Sequence, residues 1–186
     1  MKRRITKNTV KIIFISFIVS MYKDRKGNYH TKPANVISKK RESAYGIFIK
    51  NSKILLVKPS WIDIWEFPGG WKDEDETLFN TLKREFLEET GFEIIEFKKT
   101  PIKRINTKFY ADDLDQYFNS QMSFFVIKQL GKQDKNLIDR KEIINLKYIP
   151  ISKLSKKNMN NIHYEILNSL MIAKNKTYAW LSYWVS

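Results

Sequence analysis

Residues 67–94, FPGGWKDEDETLFNTLKREFLEETGFEI, decide how this chain folds. Leu78, Leu82 and Phe86 recur at i, i+4 and i+8, which is helical spacing, and Gly91 sits where a helix C-cap is expected. The preceding stretch, WIDIWEFPGGWKDED from Trp61 to Asp75, reads as a loop, because Pro68 and the Gly69-Gly70 pair interrupt any regular element. The segment therefore predicts a Gly-containing loop feeding directly into an amphipathic helix.

That helix carries an unusual charge pattern. At about 100° per residue, Glu89 falls within the apolar sector of Leu78, Leu82 and Phe86, and Glu85, Glu88 and Glu89 share an arc of about 100°. Two carboxylates about 6 Å apart repel by roughly 3 kcal/mol at an effective dielectric near 20. Partial burial adds a desolvation cost. A divalent cation offsets both, and hard Mg²⁺ takes carboxylates together with substrate phosphates. Gly69 and Gly70, lacking side chains, let backbone groups approach a metal or a pyrophosphate closely. The pattern thus predicts a metal site open to a phosphorylated ligand.

Working outward, SAYGIFIKNSKILLVKPS from Ser43 reads as two short strands joined at Asn51-Ser52. FEIIEFKKTPIKRI and SQMSFFVIKQL read as strands, with TKFYADDLDQYFN between them as a polar loop bearing Asp112, Asp113 and Asp115. EIINLKYIPISKL reads as a strand turning at Pro150, and Ile162, Ile166, Leu167 and Leu170 share one face of a second helix. Strands mixed with two helices predict an α/β sandwich. The two histidines, His30 and His163, fit structural roles better than catalytic ones.

The chain has 186 residues, 42% hydrophobic, enough for one substantial core. It contains no cysteine, which excludes disulfides, thiolate metal sites and a cysteine nucleophile and suits a reducing cytosol. The formal charge of +14 is concentrated: residues 1–60 carry 15 Lys/Arg against two acids, and residues 61–186 carry 19 against 18. Such a basic N-terminal third can attract phosphates or an anionic surface, or can be solvated surface. The apolar run Ile12–Met21 is too short for a membrane-spanning helix, which needs about 20 residues. Its Ile, Phe and Val content suits a core strand; a signal or membrane anchor, or an upstream start with Met21 as the true first residue, are the alternatives.

Gly70, Glu76, Arg84-Glu85, Phe86, Glu88-Glu89, Gly91 and Phe92 together resemble the Nudix box, G-x5-E-x7-R-E-U-x-E-E-x-G-U with U an apolar residue. The approach Trp65-Glu66-Phe67-Pro68-Gly69-Gly70 resembles the family's W-x-x-P-G-G. The resemblance spans about residues 41–175 and implies a Nudix-type α/β/α sandwich with a mixed β-sheet and the Nudix loop-helix. It implies hydrolysis of a phosphoanhydride in a nucleoside diphosphate linked to another group, with Mg²⁺ or Mn²⁺ held by Glu85, Glu88 and Glu89 and by the Gly70 carbonyl. It also implies that Arg84 orients a metal-binding glutamate and that Glu76 braces loop and helix. Metal ions would neutralise phosphate oxygens and align a bound water, and a carboxylate would accept the water's proton. For that base, Glu89 or Glu88 from the box and Glu142 from a later loop are the candidates; Asp112, Asp113 and Asp115 could instead lend a metal ligand.

The expected organisation is a basic N-terminal extension over residues 1–40 with room for an extra strand, a Nudix domain over 41–175 and an aromatic tail over 176–186. The expected substrate is a small nucleotide such as a nucleoside triphosphate or ADP-ribose. Two alternatives stand beside it. One is an RNA 5′-end pyrophosphohydrolase, suggested by the basic N-terminus and by Trp61 and Trp71 as base-stacking candidates; the other is a non-catalytic nucleotide-sensing domain. A cytoplasmic location is expected, with a signal peptide or anchor at residues 1–21 as the alternative, and a homodimer is left open.

Overall fold

The loop and helix form where the sequence places them. The computed structural model describes residues 20–176; the Ile12–Met21 run lies outside them except for Ser20 and Met21, and the tail 177–186 lies outside them entirely. The Thr77 hydroxyl accepts a hydrogen bond from the Asn80 amide at 3.2 Å and starts helix α1, Leu78–Thr90, a cap worth about 1 kcal/mol. Gly91 ends it with φ 71°, its amide donating to the Leu87 carbonyl. A side chain there would be strained and would also run into the Asp134 backbone.

In chain order the strands are β1 (Met21–Lys23), β2 (Tyr29–Thr31), β3 (Lys39–Ile47), β4 (Ile49–Lys50), β5 (Lys53–Pro59), β6 (Gly69–Trp71), β7 (Phe92–Phe97), β8 (Lys103–Ala111), β9 (Gln116–Gln133) and β10 (Ile143–Pro150); a second helix, α2, spans Asn161–Lys176. A mixed sheet runs in the order β2-β1-β8-β9-β3-β6, and β10-β5-β4 form a smaller one. Strand β9 is the spine. It pairs parallel with β3 along one edge, and on the other it pairs antiparallel first with β8 and then with β7.

Alternation along the strands feeds two apolar clusters. Ile47, Ile54, Leu56 and Phe124 pack under α2 with Ile166 and Leu167. Ala44, Leu55, Phe125 and Ile127 face the other way and pack against Leu82 and Phe86 of α1. Burying each of these larger side chains contributes about 1.5–3 kcal/mol. The two helices therefore sandwich the strands, as an α/β sandwich requires.

Three local expectations need correction. The segment from Thr107 to Asn119 is a β-hairpin rather than a loop: Phe109 pairs with Phe118 and Tyr110 with Tyr117, and only Asp112–Asp115 turn. Phe109 and Tyr110 are half-buried opposite buried Phe118 and Tyr117, so polarity alone misleads. Gly69–Trp71, expected in a loop, is a short strand held against Ser43–Tyr45. Finally, β3 starts at Lys39 rather than Ser43, because β9 extends far enough to pair with it.

Candidate active site

Arg84 is the hub around which the box residues assemble. Its Nε and Nη2 donate to the two Glu76 oxygens at 2.7 and 2.9 Å. Its Nη1 donates to Glu85 at 2.9 Å and to Glu88 at 3.2 Å, and Nη2 also reaches the Trp71 carbonyl at 3.0 Å. One guanidinium thus ties the strand β6, the loop after it and the helix together, using the planar fork that Arg alone offers. Thr81 adds a hydroxyl bond to Glu76 at 2.9 Å. The Arg84 guanidinium holds the Glu76 carboxyl down to about 2.

Glu89 faces inward, as its place on the helix predicts, and is buried. It accepts the Gly69 amide at 2.7 Å, linking helix to loop. Gly69 has φ 140°, and a Cβ there would run into the Ala44 carbonyl, so only glycine fits. A Cβ on Gly70 would run into the Glu85 carboxylate, so the missing side chain lets that carboxylate lie directly on the strand. Burial pushes the Glu85 carboxyl up to about 7, with Glu88 and Glu142 adding to the effect against the pull of Arg84. Burial pushes Glu89 well above the ordinary carboxylate range, with Glu85, Glu66 and Glu142 contributing in the same direction.

Glu142 is an exposed residue whose backbone carbonyl accepts the Ser60 amide at 2.7 Å and whose charge adds to the rise of both Glu85 and Glu89. Glu88 is half exposed on the solvent side of Arg84. Among the described residues no three His, Asp or Glu side chains stand grouped to hold an ion as they are, because Glu85 and Glu88 turn to Arg84 and Glu89 turns to Gly69. Glu85 and Glu88 thus share Arg84 as a partner, and Glu89 lies behind them on the Gly69 amide.

Asp112, Asp113 and Asp115 lie in the β8–β9 turn, where Asp113 and Asp112 approach Arg25 and Lys26 at 3.7 and 4.0 Å and Asp115 accepts the Tyr110 hydroxyl. His30 bonds to Asp24 at 2.9 Å, and buried His163 accepts the Phe67 amide at 3.0 Å while stacking on the Phe67 ring. A cavity of about 940 Å³ is lined by Phe48, Ile102 and Leu167 among others and by none of these carboxylates.

Sequence reasoning missed Glu66. This half-buried side chain accepts from the Asn160 amide group at 2.8 Å, its partial burial raises its carboxyl, and its charge raises Glu89 in turn. The only signal for it was an acid inside the apolar W-E-F-P run. Of the two tryptophans singled out for stacking, Trp61 is 51% exposed, whereas Trp71 is covered by the Arg41 guanidinium.

Fold and site together define an α/β sandwich whose acidic residues sit on a loop-helix segment. The NUDIX domain family model matches residues 40–170, and the chain belongs to the Nudix hydrolase family. It is 46% identical over 57 residues to the 8-oxo-dGTP diphosphatase of Buchnera aphidicola, a match covering 28% of this chain and 44% of that protein. It is 34% identical over 133 residues to the mRNA-decapping enzyme subunit 2 of Saccharomyces cerevisiae, covering 67% of this chain and 12% of that protein. The chain thus matches less than half the length of either relative. Its fold is similar to the crystal structure of the MutT NUDIX hydrolase from Burkholderia pseudomallei, with TM-score 0.57, 15% identity and coverage of 70% of this chain and 98% of that one. No helix among the described residues is long and apolar enough to cross a membrane.

Proposed function

We propose that this chain is a divalent-metal-dependent pyrophosphohydrolase that cleaves a phosphoanhydride in a nucleoside diphosphate linked to another group. The observation that carries the proposal is the pair Glu85 and Glu89: both are withdrawn from water, and both carboxyls are pushed up by burial and by neighbouring acids, beside a loop without side chains at Gly69 and Gly70. A fold does not keep mutually repelling buried acids for stability alone.

The donor set fits Mg²⁺ or Mn²⁺. Carboxylate oxygens of Glu85, Glu88 and Glu89 and the Gly70 carbonyl are hard oxygen donors, and the charge that burial leaves uncompensated is what a cation offsets. Such an ion supplies charge neutralisation on the phosphate oxygens and a more acidic bound water. The chain's own residues do the rest. Arg84 fixes Glu76 and Glu85, so loop and helix cannot part. Glu89 holds the loop through Gly69. Glu142, exposed and with its charge acting on both the Glu85 and Glu89 carboxyls, is the candidate proton acceptor outside the helix, with Glu88 and Glu89 as the candidates on it.

The substrate reading is a small nucleotide, in keeping with the diphosphatase relative. A second reading, RNA 5′-end hydrolysis, draws on the decapping relative and on the charge of residues 1–60. Turnover of a panel of nucleoside triphosphates, ADP-ribose and triphosphorylated RNA with Mg²⁺ tests both. Cleavage of a free nucleotide, read as phosphate or pyrophosphate from a triphosphate or as AMP and ribose 5-phosphate from ADP-ribose, supports the first, and cleavage of RNA alone supports the second. No cleavage of any member, with the protein folded, points to a non-catalytic domain.

A further inference from the structure

The N-terminal hairpin, outside the matched domain, places a second arginine beside the site. Strands β1 and β2 pair with each other, and β1 joins the edge of β8, so their turn projects Arg25 toward the loop after β5. There the Arg25 guanidinium lies over the Trp61 ring, 5.6 Å from its centroid. Arg41, on β3, lies over Trp71 and 5.0 Å from the centroid of Phe118, within an aromatic group completed by Phe109. The strand after the Gly pair links this group to the carboxylate helix, because the Trp71 carbonyl is bound by Arg84. Alternation puts Lys40 on the face of β3 opposite Arg41 and Lys39 on the same face as it.

Arg41 makes no ion pair among the described residues; burial together with the charge of Arg25 brings it down to about 10, against the pull of Tyr45, Asp113 and Glu85. Arg25 has only the exposed Asp113 at 3.7 Å. Two guanidiniums on aromatic faces, the charge of one acting on the other, at the edge of a site read as one for phosphoanhydrides, suit an anion with an aromatic group attached.

We propose that Arg25 and Arg41, backed by Trp61 and Trp71, form a second recognition subsite that takes one nucleotide unit of the substrate, its phosphate between the guanidiniums and its base on the exposed face of Trp61. The subsite rests on the hydrolase reading above, and it makes the hairpin a specificity element rather than a sheet extension. These residues select the substrate and do no bond-breaking chemistry.

Binding separates the two ideas, because it is read without turnover. The probes are a guanosine triphosphate analogue with methylene bridges, methylenediphosphonate as a bare pyrophosphate mimic, and a triphosphorylated RNA tetranucleotide with the same bridges, each titrated calorimetrically in Mg²⁺. Arg25→Gln, Arg41→Gln and Trp61→Ala should each weaken the guanosine analogue about tenfold and change methylenediphosphonate by less than about twofold. Arg25 and Trp61 are exposed, so those two variants remain informative if Arg41→Gln fails to fold. A larger loss on the RNA probe than on the guanosine analogue assigns the subsite to the second nucleotide of an RNA; an equal loss assigns it to the nucleoside of a free nucleotide. Equal losses on methylenediphosphonate and the nucleotides, no loss at Arg25→Gln and Trp61→Ala, or a wild-type protein that binds neither nucleotide probe overturns the proposal. A wild-type protein that binds nucleotide but hydrolyses none ends the hydrolase reading and leaves the subsite standing.

Discussion

Glu85→Gln should stabilise the metal-free protein while disabling it. Burial pushes the Glu85 carboxyl up to about 7 from an ordinary 4.5. The folded state therefore keeps a proton that the unfolded chain releases, and stability falls as pH rises from 4.5 to 7, by about 1.4 kcal/mol per unit. By pH 8 the loss is complete, on the order of 3 kcal/mol. Glutamine does not titrate, and its carbonyl can still accept the Arg84 bond that Glu85 accepts at 2.9 Å. In EDTA the variant should thus match the wild type within about 1 kcal/mol at pH 5 and exceed it by about 3 kcal/mol at pH 8. For a chain of this length that is roughly 6–12 °C in Tm. Thermal unfolding by circular dichroism at the two pH values reads it, and saturating Mg²⁺ should narrow the gap by binding only the wild-type carboxylate. A variant that melts below the wild type at pH 8, or a gap of equal size at both pH values, would refute the reasoning.

Two further outcomes follow from the same geometry. Glu76→Gln replaces a two-pronged ionic partner of Arg84 with a neutral one, so Arg84 is held less firmly against Glu85; turnover should fall roughly 10- to 100-fold with little change in circular dichroism. His163, buried and held neutral with its pKa brought down to about 3, should make the protein acid-sensitive: stability is full above pH 6.5 and falls through the window down to pH 3. Between pH 7 and pH 5 the loss should be about 2 kcal/mol, and His163→Gln, though less stable at pH 7, should flatten that slope in urea titrations.

The parts of the fold that were legible are those whose signals are local. Thr77, the Leu78-Leu82-Phe86 spacing and Gly91 lie within one helix and its caps, so the sequence marks its start, buried face and end. Asn51 and Ser52, both at positive φ, make the turn that short-range turn chemistry suggests. The β8–β9 hairpin was not legible as strands, because Phe109 and Tyr110 gain meaning only opposite Phe118 and Tyr117, and the length of β9 is set by partners on both edges. The inward placement of Glu89 follows from helical periodicity, but the turning of Glu85 and Glu88 toward Arg84 depends on how the loop folds back. Glu66 with Asn160, and Arg25 with Arg41, join residues far apart in the chain, and no spacing rule reaches across such distances.

The most direct test of metal-dependent phosphoanhydride hydrolysis by these carboxylates is single-turnover cleavage with and without metal, comparing the wild-type protein with Glu89→Gln. Phosphorus NMR would follow metal-stripped protein in excess over the best substrate from the panel, before and after addition of Mg²⁺. Wild type should cleave only after the addition, and Glu89→Gln, which keeps an acceptor for the Gly69 amide but not the charge, should be slower by at least about a hundredfold, some 2.7 kcal/mol in barrier. Cleavage that persists in excess EDTA, or a Glu89→Gln variant that turns over at the wild-type rate, would contradict the account.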